Sequence, residues 1–320
     1  MPDRFAGVRI AVLIPCHNEE TTVTGVVRAF QAALPEAAIH VYDNCSTDQT
    51  TALARSAGAV VGYEPRPGKG NVVRRMFADI DADVYVMVDG DDTYHAPSAP
   101  VLVKRLLVDQ LDMVNGARES KIQEAYRFGH RFGNRLLTGI VAAIFGRDFD
   151  DMLSGYRVFS RRFVKSFPAL SAGFDIETEL TVHALEQRMP VSEVNTPYKE
   201  RPEGSVSKLR TIHDGIRILR TIIDLVKGER PLAFFSLVAA LLALLSILLA
   251  IPVIRTYLQT GLVPRIPTAI LCASLMILAF LSVMCGLILD TVTRGRQEVK
   301  RMQYLSVPLV FPSTPPSRQS

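Results

Sequence analysis

The chain has 320 residues, 48% of them hydrophobic and 21% charged, so it can bury a sizeable core and is not disordered throughout. Its 36 lysines and arginines against 32 acidic residues leave a formal net charge of +4, far less basic than nucleic-acid-binding domains, so no nucleic-acid partner is expected. The four cysteines form no C-x-x-C pair, which argues against a zinc module and a disulfide scaffold.

The first two thirds of the chain alternate short β-rich runs with helical patterns. This alternation predicts an α/β fold with a mainly parallel sheet covered by helices. The predicted strands are Val8–Pro15, Ile39–Asn44, Ala59–Glu64, Val84–Asp89 and Met113–Ala117, and the clearest predicted helices are Glu20–Leu34 and Val72–Ile80.

Polar clusters follow the first, second and fourth of these strands, with the sequences PCHNEE, DNCSTD and DGDDTY. In a parallel sheet the ligand site lies beyond the carboxyl ends of the strands. Acidic groups brought together there would repel one another unless a cation joins them. Mg²⁺ or Mn²⁺ with a diphosphate would do so, because hard cations prefer carboxylate and phosphate oxygens. Gly90, between Asp89 and Asp91, gives the backbone freedom for both carboxylates to reach one ion.

A second D-x-D, formed by Asp81 and Asp83, precedes its strand instead of following it. This position puts it on the opposite edge of the sheet. We therefore interpret it as a solvated turn and not as a metal site.

Two long apolar runs, Leu232–Ile254 and Thr268–Leu289, contain no charged side chain, and each exceeds the length of about 20 residues that a bilayer requires. They are predicted to be transmembrane helices. Both flanks carry more lysine and arginine than the connection between them, which by the positive-inside rule places the N-terminal region and both termini in the cytoplasm, at the inner membrane. The amphipathic pattern of Ser207–Lys227 fits an interfacial helix or, equally, a helix packed on its own domain.

Six motifs carry a resemblance to a known family, namely IAVLIPCHNEE, YDNCSTDQT, RPGKGN, VMVDGDD, DMLSGYRVFS and YKERPEGSVSK. In order and spacing they resemble family 2 glycosyltransferases of the Rossmann-like GT-A fold. With the C-terminal helix pair, the chain is most similar to polyprenyl-phosphate glycosyltransferases, the group that includes dolichyl-phosphate mannose synthase and bacterial undecaprenyl-phosphate glucosyltransferases. The resemblance implies a cytosolic catalytic domain at 1–206, an amphipathic interfacial helix at 207–230, two transmembrane helices within 231–290 and a cytosolic tail at 291–320.

The resemblance also implies roles for individual residues at the donor site. Those implied are Pro15, His17, Glu19, Asp43 and Lys69 for the nucleotide, Asp89, Gly90 and Asp91 for the metal and diphosphate, and Arg201, Ser205 and Lys208 for a loop that closes on the diphosphate. Asp92, Thr93 and His95 are candidates for a third metal ligand. Membrane-surface charge explains the loop residues equally well.

The implied reaction is one inverting displacement, with Mg²⁺ or Mn²⁺ stabilising the leaving nucleoside diphosphate. A polyprenyl phosphate, with a second pKa of about 6, is largely dianionic at neutral pH and needs no general base. Catalysis then requires fixed cations, for which the resemblance points to Arg118 and Arg131, while Arg157 in the SGYR turn is a further candidate. A UDP-hexose donor is preferred to GDP-mannose, and a homo-oligomer is left open.

Two other functions are considered. Glycosylation of a lipid hydroxyl, such as that of a diacylglycerol, would need a carboxylate base near Asp151 or Glu177, although acidic residues near Glu177 also suit the start of a helix. A non-catalytic membrane scaffold would not need the aspartates that follow the strands. A processive polysaccharide synthase is disfavoured because its Q-x-x-R-W motif cannot occur in a chain without tryptophan.

Overall fold

The computed structural model describes residues 5, 7–119, 139, 151–169, 176–199, 227–228 and 230–309. The predicted interfacial helix lies almost entirely outside the described residues. The chain divides into two compact units, one of Met1–Gly215 with Lys300–Ser320 and the other of Ile216–Val299.

The first unit contains a seven-stranded sheet in the order β3-β2-β1-β4-β6-β5-β7. Its strands are β1 (Ile10–Cys16), β2 (Ala38–Asp43), β3 (Val60–Tyr63), β4 (Val84–Met87), β5 (Met113–Glu119), β6 (Arg157–Ser160) and β7 (Val191–Pro197). Its described helices are α1 (Val23–Ala33), α2 (Thr50–Ser56), α3 (Lys69–Asp79), a short 3₁₀ helix (Ala96–Ser98), α4 (Ala99–Val108), α5 (Arg161–Ser166) and α6 (Ile176–Glu186).

The mainly parallel α/β fold predicted from the sequence is confirmed. All five predicted strands are present, with ends that differ from the prediction by at most two residues. β6 was not predicted, and it runs antiparallel to both β4 and β5. This reversal places the amino end of β6 at the same edge as the carboxyl ends of β1, β2, β4 and β5, so the turn that precedes β6 joins the predicted site.

α1 illustrates why these segments fold as they do. Its apolar residues Val23, Val26, Val27 and Phe30 recur at helical spacing and are buried against the sheet. On the opposite edge of the sheet, Asp81 is exposed as expected, but Asp83 is buried and bonded to Arg9 by its carboxylate. The second D-x-D is therefore an ion-paired structural feature and not simply a solvated turn.

The second unit contains two helices, α7 (Pro231–Thr260) and most of α8 (Ile266–Leu305), that are long and apolar enough to cross a membrane. Along α8 the buried residues recur at a heptad interval and are small or medium in size: Cys272, Ala279, Gly286 and Thr293. α7 contributes Ala239 and Ser246, and the Ser246 hydroxyl donates a hydrogen bond of 2.8 Å to the carbonyl of Cys272. Small side chains let two helices approach closely in a bilayer.

α8 extends well beyond the predicted apolar span, so residues 291–305, within the predicted tail at 291–320, are helical. Its last turns belong to the first unit. There Lys300 pairs with the buried carboxylate of Glu186 at 2.7 Å, and the Tyr304 hydroxyl donates to Asp112 at 2.8 Å. The end of this helix is therefore part of the sheet domain.

Candidate active site

The predicted nucleotide residues lie together where β1 and β2 end. Pro15 is opposite Tyr42 in the register of these strands, and the His17 ring nitrogen Nδ1 lies 2.7 Å from the carbonyl oxygen of Asn44. The backbone N–H of Glu19 donates to the Thr50 hydroxyl at 2.8 Å. These contacts link the loop after β1 to the loop after β2.

Asp43 is the last residue of β2 and is only 4% exposed. Its Oδ2 accepts a hydrogen bond from the backbone of Ser46 at 3.3 Å, while its Oδ1 is buried without a hydrogen-bond partner. A buried carboxylate oxygen that lacks a donor is costly unless a ligand supplies one. Asp43 is thus suited to accept a hydrogen bond from a bound molecule.

Asn44 shapes the next loop, which carries the sequence RPGKGN. Its side-chain amide donates to the carbonyl oxygens of Glu64 and Arg66 at 3.0 and 2.8 Å, and its Oδ1 accepts from Gly68 at 2.7 Å. Gly68 has φ of 122°, a conformation that favours glycine. These bonds fix the start of α3 and therefore the position of Lys69.

The D-x-D follows β4, with its two carboxylates in different environments. The side chain of Asp89 is 29% exposed, whereas Asp91 as a residue is only 3% exposed. Asp91 accepts a hydrogen bond of 2.6 Å from the Thr93 hydroxyl, and the Gly90 carbonyl accepts one of 2.6 Å from Thr22. This network holds the D-x-D loop against α1.

Lys69 connects the D-x-D to a distant helix. Its Nζ lies 2.5 Å from Asp89 Oδ1 and 2.5 Å from Glu177 Oε1, although Glu177 is far away in the sequence, in the first turn of α6. Burial alone would lower the pKa of Lys69, but the two carboxylates outweigh it and raise the pKa above the ordinary value. Lys69 is therefore a buried, charged bridge between the two acids.

The described residues around the D-x-D fit a hard divalent cation that also binds substrate. Asp89 and Asp91 offer carboxylate oxygens, and within the described ranges no group of three or more His, Cys, Asp or Glu could enclose a metal. None of the candidates for a third ligand is shown beside both aspartates: the Thr93 hydroxyl donates to Asp91, His95 contacts Ser98, and Asp92 lies 3.8 Å from Lys199. A cation held here would complete its coordination with phosphate oxygens and water.

Arg118, at the end of β5, forms a two-point ion pair with Asp151. Nε lies 2.7 Å from Oδ2 and Nη2 lies 2.8 Å from Oδ1. The guanidinium also lies 5.6 Å from the centre of the Tyr198 ring. Burial raises the pKa of Asp151, but its hydrogen bonds and charge contact with Arg118 have the larger, opposite effect. The pKa of Asp151 therefore lies below the ordinary value. Asp151 is therefore a weak base.

Arg157 does not reach a substrate site, and its interpretation as an acceptor-binding cation is wrong. It is fully buried, its guanidinium donates to the carbonyl oxygens of Ser154 and Met152 and to the Thr181 hydroxyl, and burial lowers its pKa to about 10. The remaining predicted site residues, Arg131, Arg201, Ser205 and Lys208, lie outside the described residues.

Two residues take part in this site in ways that the sequence did not predict. Glu177, a candidate base or an acid at a helix start by sequence, contacts Lys69. Gly155, in the turn before β6, lies so close to Asp89 that an added Cβ would be 2.6 Å from Asp89 Oδ2. The SGYR motif was the available signal for Gly155, and no local pattern links Glu177 to Lys69.

This fold is the GT-A fold of glycosyltransferases. The crystal structure of glucosyl-3-phosphoglycerate synthase from Mycobacterium tuberculosis with Mn²⁺ and UDP-glucose matches with a TM-score of 0.58 and 24% identity, over 70% of this chain and 80% of that one. A likeness at this identity identifies the fold alone.

Sequence relatives identify the family. Residues 11–167 match the family described as Glycosyl transferase family 2. Glycosyltransferase AglJ of Haloferax volcanii is 36% identical over 71% of this chain and 75% of its own length. A dolichyl-phosphate hexose transferase, also from Haloferax volcanii, is 28% identical over 69% of this chain and 95% of its own length. The chain belongs to glycosyl transferase family 2 and is a glycosyltransferase.

Proposed function

We propose that this enzyme transfers a hexose, with inversion, from a nucleoside diphosphate sugar to a polyprenyl phosphate at the cytoplasmic face of a membrane. The relative named as a dolichyl-phosphate hexose transferase supports this acceptor class, and the pair of long apolar helices supports an integral membrane protein. In this proposal residues 1–206 form the catalytic domain, 207–230 an interfacial helix and 231–290 the membrane anchor.

The donor assignment is supported by the residues at the ends of β1, β2 and β4. The buried Oδ1 of Asp43 without a hydrogen-bond donor suits an N–H of a nucleotide base. Solved complexes of the fold relative contain Mn²⁺ and UDP-glucose, which favours a UDP-hexose and a divalent cation here. Asp89 and Asp91 would hold that cation, which when bound stabilises negative charge on the leaving nucleoside diphosphate.

The choice of acceptor rests on one observation: both candidate bases, Asp151 and Glu177, form ion pairs with basic side chains. Asp151 is held by Arg118 and Glu177 by Lys69, so each carboxylate is already engaged by a cation. A lipid hydroxyl would need one of them to accept its proton, and the lowered pKa of Asp151 opposes that role. A phosphate acceptor is already an anion at neutral pH and needs no such base.

In the proposed mechanism the protein mainly orients two anionic substrates. Asp151 fixes the direction of Arg118, and Arg118 with Arg131 binds the acceptor phosphate. Arg201, Ser205 and Lys208 close over the donor diphosphate. Bringing the phosphate oxygen into line with the anomeric carbon supplies much of the rate enhancement, because it removes the entropic cost of the encounter.

The test is a transfer assay with purified full-length protein in membranes. UDP-glucose, UDP-GlcNAc and GDP-mannose are each offered with Mn²⁺ or Mg²⁺, and with either a polyprenyl phosphate or diacylglycerol as acceptor. We expect product only on the phosphate lipid. Transfer to diacylglycerol alone would reject the acceptor assignment, and no transfer to either lipid would reject the proposal.

Variants of the two D-x-D motifs show whether turnover belongs to this site. Asp89→Ala and Asp91→Ala should each lower kcat/KM by at least about 100-fold, because a ligand to the charge-stabilising cation is lost. Asp81→Ala is the matched control: it removes an exposed carboxylate paired with Arg9 and Arg161, and such pairs contribute about 0–1 kcal/mol to stability. Equal loss in all three variants would mean that the site is elsewhere.

A further inference from the structure

We propose that Glu177 and Gly155 are positioning residues that together fix the carboxylate of Asp89 for the donor-bound cation, Glu177 by holding Lys69 against one oxygen and Gly155 by limiting the space at the other. This inference rests on the proposed function, because it assigns the purpose of the contacts around Asp89. Neither residue needs to touch substrate for this role.

We call this arrangement of Glu177, Lys69 and Gly155 around Asp89 the clamp. Its first half is the series of ion pairs Glu177–Lys69–Asp89. Lys69 is 9% exposed and Glu177 is 7% exposed at their side chains, so the pair is largely removed from water. A buried ammonium group flanked by two carboxylates is held in place on both sides. Without the Glu177 charge, Lys69 would lose the partner that keeps Nζ on Asp89 Oδ1.

The second half is the turn before β6. The atoms of Asp89 nearest to a Cβ added at Gly155 would be Oδ2 at 2.6 Å, Cγ at 3.1 Å and Oδ1 at 3.2 Å. Every one of these atoms belongs to the carboxylate and none to backbone. A methyl group at 155 would therefore turn the carboxylate away without forcing the sheet apart, and turning it would also break the contact with Lys69.

The turn itself is held from two directions, so it can act as a fixed wall. The Gly155 N–H donates to the Tyr94 hydroxyl at 2.8 Å, and the Ser154 hydroxyl donates to the carbonyl of Gly116 on β5 at 2.6 Å. Tyr94 is buried and packs against the ring of Tyr156 at 5.5 Å. Tyr94 also lies only three residues after Asp91, so one loop carries both Asp89 and the anchor of the turn that confines it.

The test measures Mn²⁺ affinity in the presence of UDP, by electron paramagnetic resonance of free Mn²⁺ with the full chain in detergent. UDP contains ribose but no hexose, so a contact between Glu177 and the transferred hexose cannot affect this measurement. We expect Gly155→Ala and Glu177→Gln each to weaken Mn²⁺ binding by about 10- to 100-fold, as loss of outer-shell support does in metal sites. In transfer assays the donor KM should rise while the acceptor KM stays unchanged.

Two controls match the chemical changes. Gly25→Ala adds a methyl group where no atom lies within 4 Å, and Asp109→Asn removes a carboxylate from an exposed pair with Arg105. Both should bind Mn²⁺ as the parent chain does. Tyr94→Phe, which removes only the acceptor of the Gly155 N–H, should give a smaller loss than Gly155→Ala.

The outcomes separate this inference from the proposed function. Parent-like Mn²⁺ binding in both Gly155→Ala and Glu177→Gln would overturn the clamp, as would a parent chain that binds no Mn²⁺ with UDP. If the two variants also melt at a lower temperature, and their Mn²⁺ affinity falls only in proportion to the fraction of protein that is unfolded, the role of these residues is structural instead. If the variants lose Mn²⁺ affinity but the parent transfers no sugar to a polyprenyl phosphate, the clamp stands and the proposed acceptor fails.

Discussion

Asp151 shows how one ion pair can decide both stability and chemistry. Its side chain is 14% exposed and that of Arg118 is 18% exposed, so neither group is fully solvated. Against the effect of burial, Arg118 holds the pKa of Asp151 below its ordinary range through its side-chain and backbone hydrogen bonds and its charge. The same contact that makes Asp151 a weak base makes its ionised form a stabilising element of the fold.

Asp151→Asn should therefore lower the free energy of unfolding by about 1–3 kcal/mol at neutral pH, because Arg118 is left without its charged partner. The folded pKa lies below the unfolded value of about 3.9, so the contribution is complete above that value and is lost as the pH falls through the folded pKa. The difference between parent and variant should shrink below about pH 4.

The measurement for this residue is thermal unfolding in detergent, followed by near-ultraviolet circular dichroism. The chain has nine tyrosines and no tryptophan, so this signal reports tyrosine packing such as that of Tyr94 and Tyr156. Asp109→Asn serves as the surface comparison. A difference between parent and Asp151→Asn that stays constant from pH 7 to pH 3 would contradict the lowered pKa.

The residues of the site differ in how far a sequence reveals them. Asp43, Asp89 and Asp91 follow apolar runs, and the strand ends of a parallel sheet share one edge, so local pattern and topology were sufficient to predict that these three residues lie at that edge. Glu177 reaches Lys69 only through the path of the whole chain. Arg157 misled for a different reason: arginine is rarely buried fully, and its burial is tolerable here because carbonyl oxygens of the folded turn and the Thr181 hydroxyl accept its hydrogen bonds.

At the level of elements, length and pairing set what could be predicted. The parallel strands β1 and β4 are apolar runs buried on both faces, which is a strong signal. β6 has four residues, begins with a charged one and pairs antiparallel, so no periodicity distinguished it from the turn before it. The α8 helix exceeded its predicted span because its polar continuation gains its partners, Glu186 and Asp112, from the sheet domain.

The packing of α7 on α8 depends on the residues that recur every seven positions along α8, Cys272, Ala279, Gly286 and Thr293, here called the heptad seam. A Cβ added at Gly286 would lie 3.0 Å from the Phe235 Cβ and 3.3 Å from the Leu232 Cα, so a larger side chain must separate the helices there. Gly286→Leu should loosen the seam, because close approach of backbones is the main source of attraction between helices in lipid. Gly295→Leu is the matched control, since no atom lies within 4 Å of the added position.

The native thiol of Cys272 reports this change. Cys272 is 9% exposed, and its carbonyl accepts the hydrogen bond from Ser246, so its thiol should react slowly with maleimide in the parent chain. Its labelling rate, followed by peptide mass spectrometry, should rise in Gly286→Leu and stay at the parent value in Gly295→Leu. Equal rates in the two variants would mean that Gly286 does not control the approach of the helices.

On the scale of the whole molecule, charge and hydrophobicity together determine the arrangement in a membrane. Exposed leucine and isoleucine side chains cover the outer faces of both long helices, which in water would be a severe aggregation hazard. The short connection between the helices contains Arg265, whereas the chain after the apolar part of α8 carries Arg294, Arg296, Lys300 and Arg301. This asymmetry predicts that the connection lies on the side away from the cytoplasm.

That orientation can be tested with single cysteines and a membrane-impermeant maleimide on intact cells that express the full chain. Leu262→Cys, at a position 69% exposed in the connection, should be labelled without permeabilisation. Ser306→Cys, beyond the end of α8, should be labelled only after the membrane is opened, because lysine and arginine retained on the cytoplasmic side oppose transfer across the bilayer. The reverse pattern would place the catalytic domain outside the cytoplasm, away from any supply of nucleotide sugars, and would defeat the proposed reaction at its source.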